Sequence, residues 1–474
     1  MIYIHTSMAD TFKFTEPKMD NEEDAAFAKA IDVVLSTGKA DYPSYVGGLK
    51  VASGMSADVF SPIDRTIIFG TYQEPEEGLV DRAVSVAEDA FAKWSKTGID
   101  ERISIFEKII AKIEQQRFRL AAMVSISVGM DKCCALEEVD TLIFVIKKAR
   151  SDLKKDKGKA QGVWAVLSSY NSPLAAPIGY ASVAILAGNT VVMTPSVHST
   201  LPVYYMYGVL KDCGVPDGVL NIITDSTGKS SEDLANNLDV VGVVASGSGD
   251  RMEDLMFLQA DDELKFINEI KGMNPILVYK PANMRSAAKT VLDAAFRFNG
   301  QSINSCSKVI LVEGQQEEFV KNILSEANNI KITDPTAPEA YAGPIISDKK
   351  GAEFEDMLDS VKGNVIFGGK KVKAPMTENG CYYVPAIVMG LDDEHDLNNM
   401  DSALPILSIQ VASDLEDAID IINCTEYGLS AGIITKDDAA SKRFKDEIDA
   451  ESVFVNDRKV PNAASKAILD NFMD

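Results

Sequence analysis

Cysteines and histidines are the residues in this chain whose chemistry depends most directly on their spacing. The chain has no Cys-x-x-Cys pair, no HExxH motif and no comparable spacing of metal ligands. The side chains concerned are Cys133, Cys134, Cys213, Cys306, Cys381, Cys424, His5, His198 and His395. We therefore predict no metal site, and we interpret the cysteines as mostly reduced thiols rather than disulfide partners.

The composition indicates the class of protein to which these thiols belong. The 474 residues include 47 Lys and Arg against 71 Asp and Glu, a net charge of −24, and 46% are hydrophobic. Such a chain can form a core, and its length fits two or three domains. The acidic excess disfavours nucleic acid or a membrane surface as a partner. No apolar run approaches the roughly 18 residues of a membrane span and no signal peptide is evident, so a cytoplasmic location is expected.

Two sections of alternating strands and helices follow an N-terminal helical region. Helical spacing is predicted over 22–34, 78–96, 100–130 and 136–153, and Val-rich and Ile-rich strands over 162–169, 190–196, 219–225 and 240–247. The second section has strands at 275–280, 306–313, 364–369 and 406–413. This pattern predicts an α/β protein with two parallel-sheet domains. Ligands of such sheets bind beyond the carboxyl ends of the strands.

Four segments, in the expected order and spacing, resemble the aldehyde dehydrogenase superfamily. They read Ser-Tyr-Asn-Ser-Pro at 169–173, Ala-Gly-Asn-Thr-Val-Val at 187–192, Gly-Val-Pro-Asp-Gly-Val-Leu-Asn at 214–221, and Gly-Gln leading into Ser-Cys-Ser-Lys-Val at 300–309. Tyr-Pro-Ser-Tyr-Val-Gly-Gly at 42–48 and Phe-Gly-Gly-Lys at 367–370 resemble the 1-pyrroline-5-carboxylate (glutamate semialdehyde) dehydrogenases. The likeness extends from about Phe12 to Lys459.

The resemblance implies a domain organisation and a mechanism. It places an N-terminal helical region with a Rossmann-type cofactor domain at 1–265, a catalytic α/β domain at 266–445, and a C-terminal segment at 446–474 that lacks the family's oligomerisation tail. In the family mechanism a cysteine thiolate attacks an aldehyde, hydride passes to NAD(P)+, and a glutamate activates the water that hydrolyses the thioester. Asn171 corresponds to the amide that stabilises the oxyanion, and Glu269 to the general base.

The catalytic cysteine is the first departure from the family. Counted from Gly300, its position holds Ile303, which cannot attack a carbonyl, and Cys306 matches a second family cysteine. Cys306 begins a predicted strand, so a core role is expected for it. Lys271 replaces a family glycine and is predicted to pair with Glu269, which would lower the pKa of this carboxylate and weaken it as a base. Alternatively, Glu269 is an ordinary surface carboxylate.

Several residues that contact the cofactor in the family are also replaced. Thr194 replaces the lysine and Val197 the glutamate that hold the adenosine ribose in the family, while Ser196 between them is retained. Ser248 remains near the expected pyrophosphate position, but the segment 249–252 gains a negative charge and loses a glycine. Asp401 replaces the glutamate that holds the nicotinamide ribose. If a cofactor binds, we expect NAD or NADP, held weakly.

Three interpretations remain open. The favoured one is a non-catalytic relative, a pseudoenzyme connected with proline metabolism, because the departures concentrate at catalytic and cofactor positions. The alternative is an active NAD(P)-dependent oxidoreductase that converts glutamate semialdehyde or another small aldehyde to the acid, using Cys306 or water activated by Glu269. A structural remnant without any ligand is a third.

The bridge at 151–161 is too short for the family's β-hairpin arm, so a monomer or an atypical oligomer is expected.

Overall fold

The chain forms two compact units, which divide between Ile270 and Lys271. The computed structural model describes residues 21–51, 55–154, 158–248, 255, 264–374, 377–399, 401, 403–425, 428–457 and 469–473. The first unit contains the described residues up to Ile270 together with 469–473, and the second contains those from Lys271 to 457. The division therefore lies five residues beyond the predicted boundary at 265, and the segment predicted at 446–474 is shared between the units.

The first unit contains the helices predicted for the N-terminal half and a sheet built from the Val-rich strands. Its described helices are α1 (Asn21–Ser36), α2 (Leu79–Trp94), α3 (Ile99–Gln115), α4 (Arg117–Val128), α5 (Lys132–Leu153), α6 (Ala175–Ala187), α7 (Thr200–Cys213) and α8 (Lys229–Ala235). Its described strands are β1 (Ala40–Tyr42), β2 (Ser44–Val46), β3 (Leu49–Val51), β4 (Ser56–Phe60), β5 (Ile68–Gln73), β6 (Val163–Ser168), β7 (Thr190–Thr194), β8 (Leu220–Ile222), β9 (Val240–Gly247) and β10 (Lys265–Ile270).

A seven-stranded sheet in the order β10-β9-β6-β7-β8-β2-β3 organises the first unit. Strands β6 to β10 are parallel, and the hairpin of β2 and β3 joins antiparallel at the β8 edge. A separate small sheet has the order β1-β5-β4. The chain order reverses between β6 and β9, so the carboxyl ends of these two strands form the switch point at which such sheets bind ligands. The predicted Rossmann-type arrangement is confirmed.

The long helical pattern predicted over 100–130 is two helices that meet at Gln116. Helix α3 is amphipathic and buries one face, with Ile103, Phe106 and Ile110 in the core. Helix α4 is buried on all sides from Leu120 onward. The two helices therefore differ in burial, since α3 is covered on one face and α4 on all sides.

The second unit has the second alternating section as its frame. Its described elements are β11 (Ile276–Val278), α9 (Met284–Phe296), β12 (Lys308–Val312), α10 (Gln316–Ala327), α11 (Asp348–Ser360), β13 (Val365–Phe367), β14 (Ala386–Met389), α12 (Asp396–Asn399), β15 (Ile406–Ala412), α13 (Leu415–Asn423), β16 (Ser430–Ile434), α14 (Asp438–Glu447) and β17 (Ser452–Val455). The sheet order is β13-β14-β15-β12-β11-β16-β17, parallel except for β13. The predicted second parallel-sheet domain is confirmed. Within the described ranges of both units, no helix is long and apolar enough to cross a bilayer.

The C-terminal segment 469–473 folds back onto the first unit. The Phe472 ring is fully buried, and its centroid lies 4.5 Å from that of Trp164. The side-chain amide of Asn189 donates a hydrogen bond to the Phe472 carbonyl at 2.7 Å, and Ala160 bridges to Met473. These contacts lie at the amino-terminal ends of β6 and β7, the edge of the sheet opposite the switch point.

We expect Phe472→Ala to destabilise the first unit by about 3–5 kcal/mol, because it removes a fully buried ring and leaves a cavity beside Trp164. The measurement is urea unfolding followed by tryptophan fluorescence. This signal reports on the first unit alone, since both tryptophans, Trp94 and Trp164, lie there. Asp470→Ala changes an exposed neighbour and should alter the unfolding midpoint little. Equal midpoints for the parent and Phe472→Ala would show that the segment does not contribute to the core.

Candidate active site

Asn171 lies just beyond the carboxyl end of β6, at the switch point of the first unit. Its side chain is fully buried, and Oδ1 accepts a hydrogen bond from the Ser248 hydroxyl at 2.9 Å and a second from the Ser169 hydroxyl. The Ser169 backbone N–H donates to the Ser246 carbonyl at 2.9 Å and so continues the pairing of β6 with β9. The amide predicted to stabilise an oxyanion is therefore held in one orientation by two neighbouring hydroxyls.

Gly247 allows this close approach of the two strand ends. A Cβ atom at Gly247 would lie 2.3 Å from the Ser169 hydroxyl oxygen and 2.6 Å from its Cβ. Both distances are far inside van der Waals contact, so a larger residue would displace Ser169 and with it one donor to Asn171. Gly247 thus supports the position of the amide.

Glu269 lies at the carboxyl end of β10, in register with Ser246 of β9. The Ser246 hydroxyl donates a hydrogen bond to Glu269 Oε2 at 2.9 Å, and both residues are only 1% exposed. The alternative that Glu269 is a surface carboxylate is therefore wrong. The sheet brings Asn171, Ser248 and Glu269 to the carboxyl ends of three neighbouring parallel strands, where ligand-binding residues of such sheets lie.

Glu138 of α5 is a buried carboxylate that the motif comparison did not single out. Its Oε2 accepts hydrogen bonds from the backbone N–H groups of Leu174 at 3.1 Å and Ala175 at 2.9 Å, and the Ser172 hydroxyl donates to Oε1 at 3.0 Å. A carboxylate at a helix N-terminus satisfies free N–H groups and interacts favourably with the helix dipole. Glu138 thereby fixes the turn that follows Asn171. The only signal in the sequence is that Glu138 shares a helix face with Ala135 and Leu142, one turn away on either side.

The remaining cofactor candidates of the first unit are bonded within the chain. Thr194 ends β7, and its buried hydroxyl lies 2.8 Å from the hydroxyl of Ser231 in α8. The Ser196 hydroxyl accepts a hydrogen bond from the His198 backbone N–H at 3.3 Å and caps a short 3-10 turn at Val197–Ser199. The altered segment 249–252 lies outside the described residues. The hydroxyls at the predicted cofactor positions therefore already have partners.

His198 adds no positive charge to this strand end. Burial lowers the pKa of its imidazole to about 4, so the ring is neutral at physiological pH. It lies edge-on to the Tyr170 ring, with centroids 6.4 Å apart. A dinucleotide carries two negative phosphates, and His198 would not compensate them.

In the second unit, Asn274 holds the loop that contains Ile303. Asn274 has a left-handed backbone with φ of 45°, and its side-chain amide donates to the carbonyls of Ile303 at 2.9 Å and Ser305 at 3.2 Å. Its Oδ1 accepts a hydrogen bond from the Ser430 hydroxyl at 2.7 Å. The backbone at the nucleophile position is thus fixed by a neighbouring amide. The Ile303 side chain itself is fully buried.

Cys306 is part of the core of the second unit. It is 2% exposed and packs in a cluster that includes Phe296 and Val309. Its thiol donates a hydrogen bond to the Lys308 carbonyl at 3.1 Å. Burial raises the pKa of this thiol to about 12, so it is un-ionised at neutral pH.

The predicted pairing of Lys271 with Glu269 is wrong. The Lys271 ammonium forms its ion pair with Asp401, and the two side chains are 1% and 3% exposed. Asp401 Oδ2 also accepts a hydrogen bond from the Ala403 backbone N–H at 3.1 Å. Because a buried ammonium needs a compensating charge, it pairs with the carboxylate that tertiary folding brings against it. The second unit therefore brings together two of the predicted departures, Lys271 and Asp401.

We expect Glu138→Gln to lower the free energy of unfolding by about 1–3 kcal/mol, because a neutral amide replaces a carboxylate that accepts three hydrogen bonds at a helix N-terminus. Urea unfolding followed by tryptophan fluorescence measures the change. Glu114→Gln is the matched control, because Glu114 is 49% exposed in its side chain and pairs with an exposed lysine. If the two variants lost the same amount of stability, Glu138 would have no special role at the turn.

Comparison with known proteins agrees with this geometry. A 1-pyrroline-5-carboxylate dehydrogenase of Geobacillus sp. strain WCH70 is 25% identical over 455 residues, which are 91% of this chain and 88% of that protein. Alpha-ketoglutarate semialdehyde dehydrogenase of Haloferax volcanii is 28% identical over 437 residues, 88% of this chain and 90% of that protein. The structure of 1-pyrroline-5-carboxylate dehydrogenase from Thermus with bound NAD has the same fold, with a TM-score of 0.89, 19% identity and 98% of both chains covered. The model of the aldehyde dehydrogenase family matches residues 50–468, and the chain therefore belongs to this family.

Proposed function

We propose that this chain is a non-catalytic member of the aldehyde dehydrogenase family, related to the 1-pyrroline-5-carboxylate dehydrogenases, that does not oxidise aldehydes through a cysteine thiolate. The observation that carries the proposal is Ile303, a fully buried isoleucine at the position of the family nucleophile. A hydrocarbon side chain can neither attack a carbonyl nor act as a leaving group. The thioester route is therefore closed at its first step.

Cys306 is a poor replacement for the missing nucleophile. The thiolate is the reactive form of cysteine, and burial that raises the pKa of the Cys306 thiol to about 12 leaves it almost entirely un-ionised at pH 8. The Sγ atom also bonds to the Lys308 carbonyl and is surrounded by core side chains. An incoming aldehyde would have to displace this packing before it met a thiolate.

Glu269 without a thioester supports only part of the reaction. A water molecule activated by its carboxylate could add to an aldehyde and form a hydrate, but oxidation of that hydrate still needs a hydride acceptor. The retained Asn171 and Glu269 are therefore consistent with a relative of the enzymes that has kept the fold of the site. They do not replace the chemistry of the missing thiol.

The described residues fit a nicotinamide dinucleotide poorly. The Thr194 hydroxyl is bonded to Ser231, the Ser196 hydroxyl caps a turn, and the Asp401 carboxylate is paired with Lys271. Family neighbours bind NAD, as the Thermus structure does, so NAD or NADP is the cofactor to test. We propose that this chain binds either one weakly. Its free cysteines also fit a reducing compartment, and we propose a cytoplasmic location.

The test of the proposal is turnover with NAD+ or NADP+ and small aldehydes, glutamate semialdehyde among them, measured as formation of the reduced cofactor. We expect no turnover in the parent or in Cys306→Ser, and no micromolar affinity for NAD+ by calorimetry. Turnover in the parent would overturn the proposal. Loss of that turnover in Cys306→Ser would then assign the reaction to the Cys306 thiol.

Thiol labelling tests the state of Cys306 independently of any substrate. We expect iodoacetamide at pH 8 to alkylate the exposed Cys424 in the native protein and to reach Cys306 only after unfolding, as followed by peptide mass spectrometry. Cys424→Ser is the control and should remove most of the native labelling. Alkylation of native Cys306 at the rate of Cys424 would contradict the buried, un-ionised thiol.

A further inference from the structure

Lys271 and Asp401 form an ion pair that is closed to solvent. Their side chains are 1% and 3% exposed, and both lie in the second unit, 130 residues apart in the sequence. The ammonium donates to Asp401 Oδ1, and the Ala403 N–H donates to Oδ2 at 3.1 Å. Both oxygens of this carboxylate are therefore engaged by donors of the same chain.

The backbone N–H of Ala403 is the second donor to the Asp401 carboxylate. Ala403 has a left-handed backbone with φ of 51°, a conformation that is uncommon for a residue with a Cβ atom. This conformation accompanies the hydrogen bond from the Ala403 N–H to the Asp401 side chain two residues earlier. Such a backbone conformation is retained where the surrounding structure overdetermines it. The buried ion pair provides such a restraint.

We propose that Lys271 is an internal cation that occupies Asp401 and keeps this carboxylate from binding the vicinal hydroxyls of a nicotinamide ribose. The inference rests on the proposed function, in which Asp401 stands at the ribose-binding position. A carboxylate binds a diol by accepting hydrogen bonds from both hydroxyls. In this chain the same carboxylate already accepts one charged and one neutral donor and is only 3% exposed, so a ribose could reach it only by displacing the groups that cover it, Lys271 among them.

The exchange is unfavourable because the ribose hydroxyls are neutral. Hydrogen bonds between charged partners are stronger than those with one neutral partner, and they gain strength where water is excluded. A ribose that displaced the ammonium would leave a buried charge without compensation. Lys271 therefore determines whether Asp401 is available to a ligand, and the glycine that the family has at this position would leave the carboxylate open.

The experiment compares NAD+ binding by the parent, Lys271→Gly and Lys271→Met, using calorimetry and the NAD+-induced shift of the thermal unfolding midpoint. We expect both variants to bind NAD+ roughly tenfold more tightly than the parent, or more. Lys271→Arg retains the cation and should show no gain. The double variant Lys271→Gly with Asp401→Asn should lose the gain, because its amide no longer provides the carboxylate that the ribose needs.

The outcomes separate this inference from the proposed function. Folded Lys271→Gly and Lys271→Met proteins that gain no affinity would overturn the inference and leave the proposed function standing. A gain that persists in the double variant would overturn the role of Asp401. Micromolar NAD+ binding by the parent would instead contradict both the inference and the weak cofactor binding of the proposed function. Lys271→Met serves as the second variant should Lys271→Gly fail to fold, since methionine fills most of the volume of lysine.

Discussion

Burial is the constraint on which the candidate residues of this protein depend, because it removes their polar atoms from contact with water. A buried polar atom without a partner costs free energy, so a stable fold provides a partner from the surrounding chain. In the first unit this constraint joins Asn171 to Ser248 and Glu269 to Ser246. In the second it joins Lys271 to Asp401. Each side chain can then do only the chemistry that its internal partner allows.

The sequence predicts the parts of the fold whose signal is local. Strands β6, β7 and β9 are continuous apolar runs that a sheet covered on both faces requires, and the structure has them close to the predicted positions. The apolar pattern did not predict strand β10, because Lys265, Asn268 and Glu269 interrupt its apolar residues. Its place is set by pairing with β9, an interaction that hydrophobic periodicity does not encode.

The features of the candidate site likewise divide into those that the local sequence predicts and those that depend on the tertiary fold. The replacement at Ile303 follows from counting along the chain, and the inward packing of Cys306 follows from its place before a strand. The partner of Lys271 does not, because Asp401 is 130 residues away and only the tertiary fold brings it near. Glu138 was missed for a related reason. Its role depends on the N-terminus of another helix, whose free N–H groups leave no mark in the sequence around Glu138.

The atoms that hold the fold together and the atoms that the family's chemistry needs belong to different residues or to different parts of one residue. A catalytic side chain can therefore change while the fold around it is kept. Asn274 bonds to the backbone carbonyl of Ile303, so the loop keeps its shape whatever side chain stands there. Gly247 is needed because a Cβ atom would strike Ser169, and this need does not depend on catalysis. At position 303 a fully buried isoleucine contributes apolar burial of about 2 kcal/mol, more than the smaller cysteine would. A chain that does not use thiol chemistry at this position, as we propose for this one, can therefore carry isoleucine there and keep the loop that Asn274 holds.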